Sequence, residues 1–346
     1  MKIKKYLING IILLLLIIMG AVGVLYFVLE THTKKQQNDE STVSLVETGQ
    51  ETQTDEITDV GDEGTENVPE EKFLDIFVSF STQSGNERVK LFASDDLCYA
   101  FVPAFCSLDS LTIEYDETKY KVSIAGKKVL NGTKLEEADI AKDSPMVVSS
   151  IAKEMEEETE YTLRFMQSGQ LPTMFIETAN GTMEYINAEV GNKEPGSMVC
   201  LNADGSINCK GDLSKVKSRG KSSFHLPKKS YGIEFIEAEN VLGMGEANTW
   251  VLQANAYDLS RLRNKLTYDI ARELELPYAV ESEYADVYFN GEYAGNYLIC
   301  EHIEVGENRV DITETDAETR DVTGGYLFEL SALSRLEEDE TFLQTE

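Results

Sequence analysis

Positive charge is scarce in this chain, which has 31 lysine and arginine residues against 62 aspartate and glutamate residues and a formal net charge of -31 at pH 7. Because nucleic-acid backbones and anionic lipids attract basic surfaces, this balance argues against a nucleic-acid partner and against docking of the soluble part on anionic lipid. Histidine is scarcer still, with three residues. His225 and His302 have no cysteine or histidine partner at the spacing of metal ligands, so the sequence predicts no metal site.

Charged residues are missing altogether from residues 7–29, a largely apolar run that follows Lys2, Lys4 and Lys5. About 20 apolar residues in a helix cross the hydrocarbon core of a bilayer. The lysines before the run predict a cytoplasmic N-terminus and an extracellular location for the bulk of the chain. We therefore expect residues 1–30 to form a cytoplasmic tail and an uncleaved transmembrane signal anchor, which would make this a single-pass protein of the cell membrane.

Aromatic residues are missing from residues 31–72, which are rich in acidic and hydroxyl side chains. Such a segment cannot bury enough apolar surface to offset its chain entropy. The sequence therefore predicts a disordered acidic linker, extended by its own charge repulsion, that holds the following domains away from the membrane. A thick cell wall would require such a spacer.

Residues 73–168 contain short segments in which apolar and polar residues alternate, among them RVKLFAS, LCYAFVPAF, LTIEY, YKVSIAG and EYTLRFM. Alternation is the period of a strand with one buried face. We expect a β-rich accessory module here, either a sandwich or an open antiparallel sheet. It contains no catalytic constellation, so its predicted role is that of a spacer or of a module that binds a protein or cell-wall partner.

Five cysteines would lie in an oxidising compartment after export. Cys200 and Cys209 flank the segment LNADGSIN, and a two-residue turn at its Asp-Gly dipeptide would place them directly opposite each other in a hairpin. They could form a cross-strand disulfide or remain free thiols. Cys98 and Cys106 form a second candidate pair, and Cys300 would then be a small buried hydrophobic residue.

Residues 169–346 combine further strands with one long helix, so the chain as a whole is expected to have an α+β fold. Asp258 or Ser260 is the candidate N-cap of that helix. A second hairpin is predicted at Asn290-Gly291. Four apolar residues of the helix recur at helical spacing, namely Leu262, Leu266, Ile270 and Leu274.

The segment KSRGKSSFHLPKKSYGIEF, residues 217–235, concentrates cations and hydroxyls in this otherwise acidic chain. Arginine offers a fork of donors, lysine a point charge and serine a hydroxyl, and together they suit a phosphate group. The alternative is a basic loop that only pairs with nearby carboxylates. The candidate anion-binding residues are Arg219, Ser222, Ser223, Lys228 and Lys229.

Four segments, in this order, resemble the spore coat protein H (CotH) family of atypical protein kinases: KSRGKSSFHLPKKSYGIEF, LGMGEANTWVLQANAYDLSRLRNKLTYDIAREL, YADVYFNGEYAGNYLICEHIEV and GGYLFEL. The resemblance implies a kinase-like amino-terminal lobe, made of an antiparallel sheet and one long helix, that uses ATP with Mg²⁺. It further implies that Lys229 or Lys228 contacts phosphate and that Glu301 meets the adenine. Arg219, Ser222 and Ser223 would line the mouth of the same phosphate-binding site.

Two departures from the family pattern stand near this mouth, since Lys221 replaces a usual asparagine and Glu234 a common lysine. The family's catalytic aspartates belong to a carboxy-terminal lobe that would follow the last residue of this chain. Phosphoryl transfer needs carboxylates to orient the nucleophile and to hold the metal. We therefore expect no catalytic residue here and an incomplete, inactive or partial kinase-like domain, which need not bind either cofactor.

Two other functions remain open at this stage. One is a cell-surface scaffold or adhesion protein that binds a wall or protein partner through its β-rich module. The other is a module that binds an anion or carbohydrate without nucleotide.

Overall fold

The computed structural model of this chain describes residues 71–135, 144–151, 157–313 and 325–328. Every described residue belongs to one compact unit, which falls within Asn67–Glu346. None of the described residues lies in a helix long and apolar enough to cross a bilayer, and the predicted anchor at residues 7–29 falls outside the described ranges.

The first part of the described chain forms one nine-stranded sheet, in the order β6-β5-β8-β9-β3-β2-β1-β4-β7. Its strands are β1 (Lys72–Thr82), β2 (Gly85–Ser94), β3 (Leu97–Val102), β4 (Thr112–Tyr115), β5 (Tyr120–Ile124), β6 (Lys127–Val129), β7 (Thr133–Lys134), β8 (Ser144–Ser150) and β9 (Glu157–Gln167), with a 3-10 turn at Leu108–Ser110. All five alternating segments contain a strand, because alternate side chains of each can enter one core. In β3, for example, buried Cys98, Ala100 and Val102 alternate with part-exposed neighbours.

The prediction of a sandwich or an open antiparallel sheet was wrong in one respect. Strands β3 and β9 pair in parallel, so the sheet is mixed. The partners lie some 60 residues apart in sequence, between Leu97↔Thr162 and Val102↔Gln167. Nothing in the local alternation of either strand indicates the direction of a partner so distant along the chain.

The second part forms a closed seven-stranded barrel, in the order β10-β11-β12-β13-β14-β16-β15. Its strands are β10 (Thr173–Thr178), β11 (Lys193–Leu201), β12 (Ile207–Arg219), β13 (Ser230–Asn240), β14 (Glu246–Gln253), β15 (Ser282–Phe289) and β16 (Glu292–Glu301). Short helical elements connect them: α1 (Glu184–Ala188), α2 (Arg263–Glu273) and 3-10 turns at Ser223–His225 and Val241–Gly243. The expected antiparallel sheet is thus closed by one parallel pair, β10 with β15.

The barrel is filled by large apolar side chains, since the inward residues of each strand are fully buried. Trp250, Phe235 and Tyr297 are the bulkiest of them. The outward face of β10, β11 and β15 joins the core of the first sheet instead, through Phe175 and Tyr288 among others. The two sheets therefore pack against each other through apolar side chains on this side of the barrel.

Local turn chemistry behaves as the sequence predicts. Asn290 and Gly291 both have positive φ, at 52° and 81°, which is the backbone that a two-residue hairpin turn between β15 and β16 requires. Cys200 and Cys209 face each other across β11 and β12, also as predicted. Both thiols are buried and free in this structure, as are the other three cysteines, and the hydrogen bond with Cys209 together with burial raises the pKa of Cys200.

Helix α2 starts at Arg263, later than either predicted N-cap. The Asp258 carboxylate still accepts the backbone N–H of Arg263 at 2.9 Å, so the residue holds the helix start without being its cap. The polar side of α2 faces the barrel, where Lys265 donates to the carbonyl oxygen of Ser282 at 2.9 Å. The four apolar residues of the predicted stripe are 39–66% exposed, namely Leu262, Leu266, Ile270 and Leu274.

Gly196 provides a test of the barrel packing. It lies in β11 opposite Thr178, and a Cβ atom there would sit 2.3 Å from the carbonyl oxygen of Glu177. We expect Gly196→Ala to lower the free energy of unfolding by about 1–3 kcal/mol, since backbone must shift to admit the methyl group. Chemical denaturation followed by circular dichroism measures the change.

Gly169→Ala is the matched control, because a Cβ atom at Gly169 would meet nothing within 4 Å. Equal losses in the two variants would show that the contact with Glu177 is not what restricts position 196.

Candidate functional site

The basic loop between β12 and β13 is held by its own backbone geometry. Gly220 has φ of +90°, and the Ser223 hydroxyl occupies the space that a Cβ at Gly220 would need, 2.1 Å away. Ser222 is exposed, and its carbonyl oxygen accepts a hydrogen bond from the Tyr257 hydroxyl at 3.2 Å. Glycine is therefore required here both for its backbone conformation and for the close approach of the serine.

Lys229 does not extend into a cleft. Its ammonium group donates to the carbonyl oxygens of Phe224 at 2.6 Å and Leu226 at 3.3 Å, and it lies 4.8 Å from the centre of the Phe224 ring. Lys229 therefore closes its own loop. Of the two lysines named by the sequence analysis, this one has a structural role.

Lys228 reaches across the end of the barrel to β16. Its ammonium group donates to the carbonyl oxygen of Asn296 and lies 4.3 Å from the centre of the Tyr297 ring. Burial, and then the positive charge of Arg261, lower the pKa of Lys228 to about 8, while the Asp286 carboxylate opposes the change. At neutral pH this lysine is a cation that is partly removed from water.

Arg219 is the last residue of β12 and pairs with Ser230 of β13. Its aliphatic stem covers Gly232, and its positive charge opposes the burial that raises the pKa values of Cys300 and Tyr268. Tyr268 belongs to α2 and packs with Cys300 on the outer surface of the barrel. Arg219 thus faces the helix side, whereas Lys228 lies over the ring of Tyr297 in the barrel core.

Glu301 ends β16 and is held from two sides. One carboxylate oxygen accepts the backbone N–H of Glu281 at 2.7 Å, and the other lies 2.9 Å from the Nη1 atom of Arg309. Burial raises the pKa of Glu301, and the hydrogen bond from Glu281 and the charge of Arg309 oppose that rise. The side chain is 12% exposed, so the carboxylate is a buried half of an ion pair.

Arg309 is the functional candidate that the sequence analysis missed. Its side chain is 3% exposed and lies with its guanidinium carbon 4.5 Å from the centre of the Trp250 ring. Within the part of the chain that the structure describes, its Nε and Nη2 groups have no hydrogen-bond partner. A lone arginine in the acidic segment EVGENRVDITETD was the signal that could have drawn attention to it.

A cavity of about 180 Å³ opens beside this ion pair. Its walls come from the chain before β15 and from the chain after β16, including Tyr278, Val280, Glu281, Glu301, His302, Ile303 and Arg309. Buried donors without partners are costly unless something accepts from them. The cavity therefore has mixed polar and apolar walls, and the Nε and Nη2 groups of Arg309 lie buried behind them without a hydrogen-bond partner among the described residues.

The structure separates the predicted site residues into two places. Lys228 contacts Asn296, and Glu301 lies five residues further along β16, on the order of 17 Å at the usual rise of a strand. Arg219 faces α2, and Lys229 is engaged within the loop. The candidate residues thus lie in a loop region around Lys228 and, at Glu301, in a cavity shared with Arg309.

The described residues define a mostly β protein in which a seven-stranded barrel carries a basic loop and a cavity with a buried arginine. The family model for CotH kinase protein matches residues 216–344, from within β12 to beyond the last described residue. This part of the chain is a CotH kinase protein domain. No curated protein matches the chain.

The ion pair of Glu301 and Arg309 can be tested by a double-mutant cycle with Glu301→Gln and Arg309→Met. Since both groups are buried and in contact, we expect a coupling energy of about 0.5–3 kcal/mol in denaturant unfolding. The part-exposed pair of Lys215 and Glu234, at 2.5 Å, serves as the control and should give only about 0.2–1 kcal/mol. A smaller coupling for the buried pair than for the control would contradict the assignment.

Proposed function

We propose that the barrel and the segment after β16 form the nucleotide-binding lobe of a kinase-type domain, and that this lobe binds ATP. The observation that carries the proposal is the cavity at Glu301 and Arg309, which lies inside the region matched by the CotH kinase family model. Kinase families use ATP, and a ring with nitrogen acceptors is the kind of group that unpartnered guanidinium donors can bind.

The cavity's size limits what it would enclose. Pockets that bury a whole drug-sized ligand usually measure about 300–1,000 Å³, and this cavity has about 180 Å³. We therefore assign it to the base alone. The Nη2 group of Arg309 is buried, so the side chain would shift towards the cavity to donate to a ring nitrogen, while Glu301 holds the guanidinium group through Nη1.

Lys228 is our candidate for the phosphate groups. A lysine that is partly buried binds an anion more strongly than one in water, because the effective dielectric constant around it is lower. An extended ligand would be needed to span the distance along β16 between Lys228 and Glu301. Ser222, which is exposed, and Ser223 lie on the same loop as the lysine and could add hydroxyl donors.

The described residues provide fewer candidate ligands for Mg²⁺ than for the nucleotide. Within the described ranges, no group of three or more histidine, cysteine, aspartate or glutamate side chains is placed to hold a metal ion. Phosphoryl transfer relies on carboxylates that hold Mg²⁺ and orient the nucleophile. Our proposal for this part of the chain is therefore nucleotide binding, with phosphoryl transfer by this chain alone inefficient or absent.

We further propose that residues 7–29 anchor the protein in the cell membrane with the described domains outside. The support is the uncharged run itself and the three lysines before it. Protease treatment of intact cells tests the orientation, since cleavage should remove the bulk of the chain. Full protection of the chain on intact cells would contradict it.

Nucleotide binding can be tested with the full chain in a maltoside detergent by titration with ATP, with and without Mg²⁺. Lys228→Met should weaken binding by about tenfold or more, since a hydrogen bond to a charged group contributes on the order of 1.5–3 kcal/mol. Lys210→Met is the control, because Lys210 is exposed on β12 of the same barrel. Equal losses of ATP affinity in the two variants would contradict the assignment of Lys228 to the phosphate groups.

The same titration has a predicted pH dependence. Because Lys228 has a pKa of about 8, it is protonated below that pH and neutral above it. ATP affinity should therefore fall as the pH rises through about 8, and this fall should be absent in Lys228→Met. Isothermal titration calorimetry from pH 7 to pH 9.5 measures it, and a flat profile in the unsubstituted protein would be the contrary result.

A further inference from the structure

A second cavity lies where the nine-stranded sheet meets the barrel, and neither Arg309 nor a residue of the basic loop is among its lining residues. Its volume is about 250 Å³. The sheet contributes the ends of β3 and β9, and the barrel contributes β15 and the start of β16. The side chains that matter for its chemistry are Phe101, Gln167, Ser168, Asp286, Tyr288 and Tyr293.

Asp286 is the one carboxylate in this lining and is only 5% exposed. Its two oxygens accept hydrogen bonds from neutral hydroxyls, that of Ser168 at 2.5 Å and that of Tyr293 at 3.0 Å. It forms no ion pair with any other residue that the structure describes. A carboxylate can accept about four hydrogen bonds, so it retains acceptor capacity in a place where charged groups are seldom buried without a partner.

Two cations influence this region, but each is engaged elsewhere. Lys228 donates to the carbonyl oxygen of Asn296 and lies over the Tyr297 ring, and it senses Asp286 only as the weakest of three influences on its pKa. Arg261 is exposed, and its charge slightly opposes the burial and the Asp286 charge that raise the pKa of Tyr293. Neither Lys228 nor Arg261 forms a direct ion pair with the Asp286 carboxylate.

The other walls of the cavity are aromatic. The rings of Phe101 and Tyr293 stack with their centres 4.6 Å apart, and the rings of Tyr288 and Tyr293 lie 5.1 Å apart at 47°. The Tyr288 hydroxyl donates a hydrogen bond to the carbonyl oxygen of Phe101 at 3.1 Å, which fixes the orientation of the ring. Tyr99 also stacks on Phe101 and Phe175 on Tyr288, so the faces of the three lining rings are largely covered by other rings. The walls are therefore rigid and offer mainly apolar area, with little hydrogen bonding to spare.

We propose that this cavity binds a small organic ammonium ion, with its positive charge against the Asp286 carboxylate and its alkyl groups against the aromatic walls. A buried carboxylate without an ion-pair partner favours a cation, and apolar walls favour alkyl groups over water. A hard metal ion is a poor match, because Ca²⁺ takes six to eight oxygen ligands and the cavity supplies one carboxylate. A cavity of about 250 Å³ suits an ion the size of choline or n-butylammonium.

The inference is independent of the nucleotide proposal, since it uses neither Lys228 nor the cavity at Arg309. Because the two sheets both contribute walls, an ion bound here would also link the nine-stranded sheet to the barrel. Binding would accordingly stabilise the protein against unfolding, as any ligand that prefers the native state does.

The test uses the full chain in dodecyl maltoside, a detergent without an ammonium headgroup, at constant ionic strength. Choline, n-butylammonium and 3,3-dimethylbutan-1-ol are titrated separately and followed by saturation-transfer NMR of their methyl protons. The alcohol has the shape of choline with carbon in place of the charged nitrogen. We expect saturable binding of at least one of the two cations, at least about tenfold tighter than that of the alcohol. The ratio of the affinities for choline and n-butylammonium distinguishes a quaternary from a primary ammonium site.

Asp286→Asn keeps the size of the side chain and its ability to accept from Ser168, but removes the charge. This substitution should weaken cation binding by about tenfold or more and leave the affinity for the alcohol unchanged. Asp212→Asn makes the same change on an exposed strand position and should have no effect. Phe101→Leu removes one aromatic wall and should weaken the binding of the cations and of the alcohol together. This variant gives a second readout if Asp286→Asn does not fold.

Three results would overturn the proposal. They are the absence of saturable binding for both cations, equal binding of the cations and the neutral alcohol, and undiminished cation binding in a folded Asp286→Asn variant. Absence of ATP binding to the unsubstituted protein, with cation binding retained, would instead count against the nucleotide proposal alone.

Discussion

The parallel pairing of β10 with β15 is the constraint on which the rest of the described structure depends. It joins Thr173–Ile176 to Asp286–Phe289 and closes the barrel. Because side chains alternate along a strand, closure sends Ala285 and Val287 into the barrel core and turns Asp286 and Tyr288 towards the nine-stranded sheet. Without that closure, neither the buried interior under Lys228 nor the aromatic cavity around Asp286 would exist.

The fold of the connection between β12 and β13 also explains why the basic residues of one short segment do not share one site. Arg219 and Lys228 are nine positions apart and flank the same loop, yet Arg219 faces α2 and Lys228 lies over the core ring of Tyr297. The resemblance to the CotH family is confirmed by the family model over residues 216–344. It could not tell which cation is engaged by its own loop, because the hydrogen bonds of Lys229 depend on how the loop folds back.

Helix α2 shows the limit of periodicity as a guide to burial. The helical spacing of its apolar residues was correct, since Leu266 and Ile270 lie inside the helix and Leu262 and Leu274 are its two cap residues. Burial was decided by other contacts, since Lys265 binds the Ser282 carbonyl and Arg272 pairs with Glu281 at 2.8 Å. These bonds turn the polar side of the helix to the barrel and leave the leucines exposed within the described part of the chain.

The sequence by itself determined the features that a few neighbouring residues control. These are the alternating strands, the Asn290-Gly291 turn and the facing of Cys200 and Cys209, because side-chain period and turn conformation are local properties. Only the tertiary structure decided the closure of the barrel and the partners of Arg309 and Asp286. Those depend on contacts between segments far apart in the chain, and a buried charge acquires its environment only when such segments pack around it.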